Sequence, residues 1–177
     1  MSNWNRIGKP IVVLSLICVV VTAALAATNE VTAPIIEEAR IEAENAARLA
    51  VLPDADGFTE VTGISVDGVS AVYTANNGTG AAITASAKGY GGDVVIMVGI
   101  GSDGNIVSVT VTEQKETQGI GSNVVSNDEY LAQYNGLSAA EPLVLNEDVD
   151  ARTSATVSST AVIDAVNAAI TAYNQIP

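Results

Sequence analysis

The chain opens with one long apolar segment. Residues 10–28 read PIVVLSLICVVVTAALAAT, with no charged side chain and only small hydroxyl groups among the apolar residues. At about 1.5 Å per residue, a helix of this length spans roughly 28 Å, close to the thickness of one bilayer core. The pattern therefore predicts a transmembrane helix over 10–28. A cleaved signal peptide is the alternative, since Ala24-Leu25-Ala26 has the small residues of a cleavage site.

Residues 29–56 follow with small apolar side chains at helical spacing. This segment is rich in Ala and Glu, and Pro34 near its start fits the first turn of a new helix. The turn residues PDADG at 53–57 then end the helical pattern. We predict a juxtamembrane helix and linker over 29–56, followed by a domain over 57–177.

The domain begins with strand patterns and ends with a helical one. Segment 93–100 is almost continuously apolar, which predicts a central strand covered on both faces. Segment 106–112 alternates apolar and polar residues, which predicts a strand with one buried face. Further strands are predicted over 58–66, 69–76 and 81–88, and helices over 126–134 and 158–173. Strands followed by helices indicate an α+β fold with a curved antiparallel sheet and packing helices.

Charge is distributed unevenly along the chain, whose net charge is −13. Arg6 and Lys9 precede the apolar segment, while all 20 acidic residues lie at Glu30 or beyond. By the positive-inside rule, we expect residues 1–9 in the cytoplasm and residues 57–177 outside it, at the cell (inner) membrane. An acidic domain repels phosphate backbones, so nucleic acid is excluded as a partner and the lipid bilayer is expected around the apolar segment.

Histidine is absent and Cys18 is the single cysteine. These two facts exclude Ser-His-Asp and Cys-His catalytic sites, His-ligated metals, an internal disulfide, a cysteine zinc site and an iron–sulfur cluster. We therefore predict no catalytic residue and no metal site. Redox chemistry in this chain requires an organic cofactor.

Three short motifs carry candidate chemistry, and the first lies directly before the last predicted helix. Residues 150–159 read DARTSATVSS, a run of hydroxyl and small side chains. A helix N-terminus offers free N–H groups and the positive end of a dipole, which together favour a phosphate. Ordinary N-terminal capping by Ser or Thr is the alternative explanation.

The other two motifs are rich in glycine. Residues 113–121, EQKETQGIG, contain two glycines separated by an aliphatic residue, so their backbone can lie against a flat ring. Residues 87–92, AKGYGG, lead into segment 93–100, and Tyr90 within them is expected to be a packing residue, with a place beside a bound ring as the alternative. A plain glycine turn is the alternative for both motifs.

The order and spacing of these motifs resemble the RnfG/NqrC family of FMN-binding membrane subunits, over nearly the whole chain. Residues 150–156 are similar to the family's flavinylation motif, in which the last Thr binds FMN through a phosphoester. The resemblance thus places covalent FMN on Thr156 and assigns cofactor contacts to Asp150, Thr153, Ser154 and Ala155. Ser154 stands where glycine is commonest in the family, so a backbone with positive φ would strain this serine.

The glycine motifs carry the same resemblance. Residues 113–121 resemble the Glu-Thr-Pro-Gly-Leu-Gly loop of FMN-binding domains, with Gln118 in place of proline and isoleucine in place of leucine. Residues 87–92 resemble the Gly-Tyr-Gly-Gly turn of the same domains. The resemblance assigns cofactor binding in this loop to Glu116, Thr117, Gly119, Ile120 and Gly121.

The resemblance implies an electron carrier without independent catalysis. It implies a redox subunit of an Rnf-type ferredoxin:NAD oxidoreductase that pumps Na⁺ or H⁺. The implied partners are the other membrane subunits, especially the second flavin-bearing one, and an FAD:protein FMN transferase that attaches the flavin. The RnfG type is favoured because NqrC chains are generally longer and usually keep the motif glycine. The alternatives are an NqrC-type subunit of a sodium-pumping NADH:quinone oxidoreductase, a free-standing flavoprotein, and a non-redox extracytoplasmic scaffold domain.

Overall fold

A computed structural model describes residues 8–177, so the predicted cytoplasmic segment 1–9 lies outside the described residues except for its last two positions. The chain divides into two compact units, one ending at Ala43 and the other running from Glu44 to Pro177. The elements are α1 (Lys9–Val51), β1 (Phe58–Glu60), β2 (Val69–Ala75), β3 (Gly80–Lys88), β4 (Asp93–Gly101), β5 (Ile106–Glu113), α2 (Ser122–Val125), α3 (Asp128–Leu131) with a 3₁₀ turn over Ala132–Tyr134, and α4 (Thr156–Tyr173).

Helix α1 is continuous over 43 residues, with Pro34 in its interior. The prediction of a separate juxtamembrane helix that begins at Pro34 is therefore wrong. Proline removes one backbone hydrogen bond, but the Ala- and Glu-rich sequence after it has high helix propensity and continues the helix. In the described part of the chain, α1 is the one helix long and apolar enough to cross a membrane.

The second unit contains one antiparallel sheet in which each strand pairs with the next along the chain, in the order β1-β2-β3-β4-β5. The longest pairing joins β3 to β4, from Gly80 opposite Gly101 to Lys88 opposite Asp93. Strand β1 ends at Glu60, well before the predicted limit of 66. Gly63, at φ +95°, lies just beyond it and takes the chain out of the extended conformation.

Helix α4 covers one face of the sheet and completes the main core. It packs chiefly on β3 and β4. Its inward residues Val162, Val166 and Ile170 are fully buried, as the helical spacing predicts. The helix begins at Thr156, two residues before the predicted start.

The end of α1 covers the other face of the sheet. Val51 packs with Ala82 and Met97, so β4 is buried on both faces as predicted. Gly99 on β4 lies so close to the Val51 carbonyl that a Cβ there would overlap it. Arg48, one turn before Val51, stacks on the Tyr73 ring at 3.8 Å, which adds a cation–π contact to this second packing layer.

The short helix predicted over 126–134 is present from Asp128, as α3 and the 3₁₀ turn that continues it to Tyr134. Helix α2 ends at Val125, and α3 begins after Asn127, whose side chain accepts a hydrogen bond from the Tyr130 N–H (2.9 Å). Tyr130 and Tyr134 make an edge-to-face contact with centroids 6.5 Å apart. Burial, and then the neighbouring Tyr130, raises the pKa of Tyr134, so this ring stays un-ionised in the folded domain.

Candidate functional site

The three motifs meet at one cleft of about 520 Å³. Its lining residues come from the glycine turn, the loop after β5 and the start of α4: Tyr90, Glu116, Thr117, Ile120, Gly121, Ser154, Ala155, Thr156, Val157 and Ser158. This volume is within the range of about 300–1,000 Å³ that is typical of small-molecule sites. Segments that are distant in sequence therefore form one concave site.

The start of α4 supplies one end of this cleft. Thr156 is the first helical residue and is exposed. Ala155 precedes it without a side-chain capping bond, and the first helical hydrogen bond runs from the Ser159 N–H to the Ala155 carbonyl (2.9 Å). The capping alternative is therefore wrong for this motif. The first N–H groups of α4 are left for solvent or for an anionic ligand.

The hydroxyl groups of the two serines in the first turn of α4 form hydrogen bonds with groups other than the free N–H groups of this helix end. Ser159 Oγ accepts a hydrogen bond from the Arg152 N–H and donates one to the Ala155 carbonyl, both at 3.1 Å. Ser158 Oγ donates to Glu116 across the cleft. The motif loop is thus held on one side by its own helix and on the other by the loop after β5.

Ser154 has a left-handed backbone, with φ +70°. Residues other than glycine are strained in this region because Cβ approaches the following carbonyl oxygen, at roughly 1–2 kcal/mol. The sequence predicts strain at Ser154 if its backbone has a positive φ, and the structure shows that it does. Ser154 therefore occupies a backbone conformation that glycine, the family's common residue here, adopts without this strain.

We expect Ser154→Gly to raise the free energy of unfolding by about 0.5–1 kcal/mol. Relief of the left-handed strain exceeds the extra flexibility that glycine gives the unfolded chain. Urea denaturation of the full chain in detergent measures the difference. Ser126→Gly is the matched control, because Ser126 is exposed and has φ −116°, and we expect it to lower stability. A loss of stability in Ser154→Gly would contradict the strain interpretation.

Glu116 connects all three motifs. Its side chain is 7 % exposed. Oε1 accepts a hydrogen bond from the Gly91 N–H (2.9 Å), and Oε2 accepts one from Ser158 Oγ (2.5 Å). One carboxylate thus joins the glycine turn, the loop after β5 and the first turn of α4.

Glycines surround this carboxylate because side chains do not fit there. A Cβ on Gly89 or Gly121 would overlap the Glu116 carboxylate, and one on Gly91 would overlap the Lys115 carbonyl. Gly119 has open space around it, so packing does not require glycine there. Its φ of +81° does, because this turn needs a left-handed backbone. The close packing of backbone on carboxylate explains why the motifs are rich in glycine.

Three exposed apolar side chains form the rim of the cleft. Tyr90 is 77 % exposed, and Ile120 and Val157 are each 52 % exposed. The expectation that Tyr90 packs inside the domain is therefore wrong. We call Tyr90, Ile120 and Val157 the apolar rim.

The cleft includes seven of the ten residues predicted for the cofactor. The other three lie nearby: Asp150 and Thr153 are exposed on the loop before α4, and Gly119 is in the turn. The Asp150 N–H donates to Gln133 Oε1 (3.1 Å). Val157 and Ser158 are cleft residues that the prediction missed, and Tyr90 lines the cleft although a packing role was favoured for it. The position of Ser158 two residues after Thr156 was the available signal, because it falls in the same helical turn.

Residues 89–171, which contain the whole cleft, match the family described as FMN-binding domain. The fold and the site therefore define an FMN-binding domain protein. The chain is 32 % identical to the G subunit of the Na⁺-translocating ferredoxin:NAD⁺ oxidoreductase complex of Acetobacterium woodii, over 98 % of this chain and 95 % of that one. It is 30 % identical to the G subunit of an ion-translocating oxidoreductase complex of Methanosarcina acetivorans, over 96 % of each. The chain belongs to the RnfG family.

Two further similarities agree with this assignment. The G subunit of the proton-translocating ferredoxin:NAD⁺ oxidoreductase complex of Clostridium ljungdahlii is 27 % identical over 89 % of this chain and 86 % of that one. The crystal structure of Shewanella oneidensis NqrC aligns with a TM-score of 0.50 and 21 % identity, over 73 % of this chain and 72 % of that one. At this identity the NqrC structure shows a shared fold alone.

Proposed function

We propose that this chain carries one FMN bound covalently to Thr156 and relays electrons within an Rnf-type ferredoxin:NAD oxidoreductase that moves Na⁺ or H⁺. The observation that carries the proposal is the position of Thr156. It is the exposed first residue of α4, in a cleft that all three flavin motifs line. The full-length similarity to the G subunits of such complexes supports the assignment to this machinery.

The start of α4 fits the phosphate of FMN. No side chain caps this helix end, and Ala155 adds only a methyl group beside Thr156. The free N–H groups and the positive end of the helix dipole stabilise a negatively charged phosphoester at this position. Thr156 holds the phosphate, while the first turn of α4 offsets its charge.

The opposite wall of the cleft fits a flat ring. Gly121 presents backbone, and Ile120 with the other apolar rim residues offers apolar surface. A flavin exchanges one or two electrons, which is the chemistry that the bound group supplies. The tasks of this chain are to retain the ring, to orient it and to set its electrostatic surroundings.

Thr156 needs a separate enzyme for its modification. Among residues 8–177 the Thr156 hydroxyl has no hydrogen-bond partner, and the chain contains no histidine that could act as a base. We therefore assign the attachment to an FAD:protein FMN transferase. Thr156 Oγ loses its proton and bonds to the FMN phosphorus, while the diphosphate bond of FAD breaks and AMP leaves.

The proposed location follows from α1 and from the charges. We propose that α1 anchors the chain through 10–28, with 1–9 in the cytoplasm and the acidic domain 57–177 outside it. The second flavin-bearing membrane subunit is the proposed electron-transfer partner. Protease added to right-side-out spheroplasts should cleave the domain, whereas cleavage only after lysis would reverse the orientation.

The test of the proposed function is flavin retention under denaturing conditions. We would express the full chain with and without an FAD:protein FMN transferase, and record ultraviolet fluorescence and intact mass after a denaturing gel. When the transferase is present, we expect a fluorescent band and a chain whose mass is increased by that of FMN minus one water. Without the transferase, we expect neither. A dark band beside a fluorescent flavinylated control would reject covalent FMN and favour the scaffold alternative.

An NqrC-type role is the second candidate, and the shared fold with the Shewanella NqrC structure is compatible with it. The two roles differ in the complex that contains the chain. Purification of the intact complex separates them, since ferredoxin:NAD activity supports the Rnf type and NADH:quinone activity supports the Nqr type.

A further inference from the structure

Glu116 places a buried negative charge in the flavin cleft. The described residues 8–177 contain four buried polar or charged side chains, and Glu116 is the only acidic one among Arg48, Glu116, Ser158 and Ser159. Within the same residues it forms no salt bridge, and its two oxygens accept hydrogen bonds only from the Gly91 N–H and Ser158 Oγ. Among the described residues, the carboxylate is therefore hydrogen-bonded but forms no ion pair.

The surroundings of this carboxylate screen it weakly. Backbone at Gly89 and Gly121 approaches so closely that no Cβ fits. Water is consequently kept from these sides of the carboxylate, and charges in such surroundings act through a lower effective dielectric than charges in solvent. The field of Glu116 extends into the cleft that this side chain lines.

Given the flavin site proposed above, we propose that Glu116 is a positioning residue whose negative charge lowers the reduction potential of the bound flavin. Uptake of two electrons and one proton adds one negative charge to a flavin ring. A fixed negative charge in the same cleft repels that added charge and favours the oxidised form. The same carboxylate holds the first turn of α4 to the glycine turn through Ser158 and Gly91.

The first test removes the charge and keeps the shape. In flavinylated full-length chain, we expect Glu116→Gln to raise the midpoint potential in a redox titration with mediators. One charge across a cleft of effective dielectric about 20 changes the oxidised-to-reduced equilibrium on the order of tenfold, which is ~30 mV for a two-electron couple. Glu113→Gln is the matched control: Glu113 is exposed at the end of β5 and lies outside the cleft, so its removal should leave the potential unchanged.

A second variant separates charge from structure. Ser158→Ala removes a hydrogen bond that partly offsets the carboxylate charge, so the potential should fall below that of the wild-type chain. A purely structural role for Glu116 predicts that both variants lower thermal stability without opposite shifts in potential. If Glu116→Gln fails to fold or to take up flavin, the direction of the Ser158→Ala shift still decides the question.

The outcomes for this inference and for the proposed function are distinct. A fluorescent wild-type band with an unchanged or lowered potential in Glu116→Gln would overturn the role of Glu116 and leave the flavin site intact. An unchanged or raised potential in Ser158→Ala would also overturn it. A wild-type band without flavin would remove the proposed function, and the role of Glu116 with it.

Discussion

Thr156→Ala is expected to abolish covalent flavin completely. The phosphoester requires the Thr156 hydroxyl, which is exposed at the first position of α4. Alanine is a good helix former and Ala155 already makes no capping bond, so the helix itself should persist. In-gel fluorescence and intact mass of chain expressed with the FMN transferase measure the loss. The expected result is a dark band of normal amount and of unmodified mass.

Two variants serve as controls for Thr156. Thr160→Ala removes an exposed hydroxyl one turn further along α4 and should leave the fluorescence unchanged. Thr156→Ser keeps a hydroxyl at the same position and should retain at least part of the flavin. A fluorescent Thr156→Ala band with the flavin mass would show that another residue holds the phosphate.

Gly121→Ala is expected to have the second-largest effect, on both folding and flavin content. A Cβ at this position would overlap the Glu116 carboxylate and approach Ser158 Oγ to 2.8 Å. Because Glu116 is buried and hydrogen-bonded on both oxygens, it has little freedom to move away. We expect a loss of about 2–3 kcal/mol in the free energy of unfolding, since overpacking a filled site has this effect. Urea denaturation of the unflavinylated chain measures it.

The flavin content of Gly121→Ala should fall with its stability, because displacement of Glu116 separates α4 from the glycine turn. Gly104→Ala is the matched control. Gly104 has φ +77° but open space around it, in the hairpin between β4 and β5. It should lose only about 1–2 kcal/mol from left-handed strain and keep full flavin content. Flavin loss in both variants in proportion to their measured loss of stability would show that stability alone, and not this contact, controls flavinylation.

The sheet and the closing helix were predictable because their patterns are local. A continuous apolar run predicted β4 as a strand buried on both faces, and the inward stripe Val162, Val166 and Ile170 predicted the buried side of α4. The errors arose where local signals compete. Pro34 is read as a helix start, yet the Ala- and Glu-rich sequence after it continues α1. Gly63 ended β1 earlier than its β-branched residues predict.

The site was predictable only where its residues are adjacent in sequence. The family's motif placed the flavin on Thr156 near a helix start, although that start was predicted at Ser158, and the family's glycine preference identified the strained position at Ser154. The hydrogen bond between Glu116 and Ser158 joins residues 42 positions apart, and no periodicity in the chain indicates it. Likewise, Tyr90 resembles a core residue in sequence, and only the fold places it on the surface.

The openness of the apolar rim has a consequence for how the flavin is retained. Tyr90, Ile120 and Val157 are each more than half exposed, so a dissolved flavin would bury little apolar surface on them and would bind weakly. The proposed tether at Thr156 would make ring binding intramolecular, and short flexible tethers give effective concentrations in the millimolar range. In the proposed site, different groups would provide retention and accessibility: one ester bond would prevent escape, while the rim would leave the ring open to a redox partner.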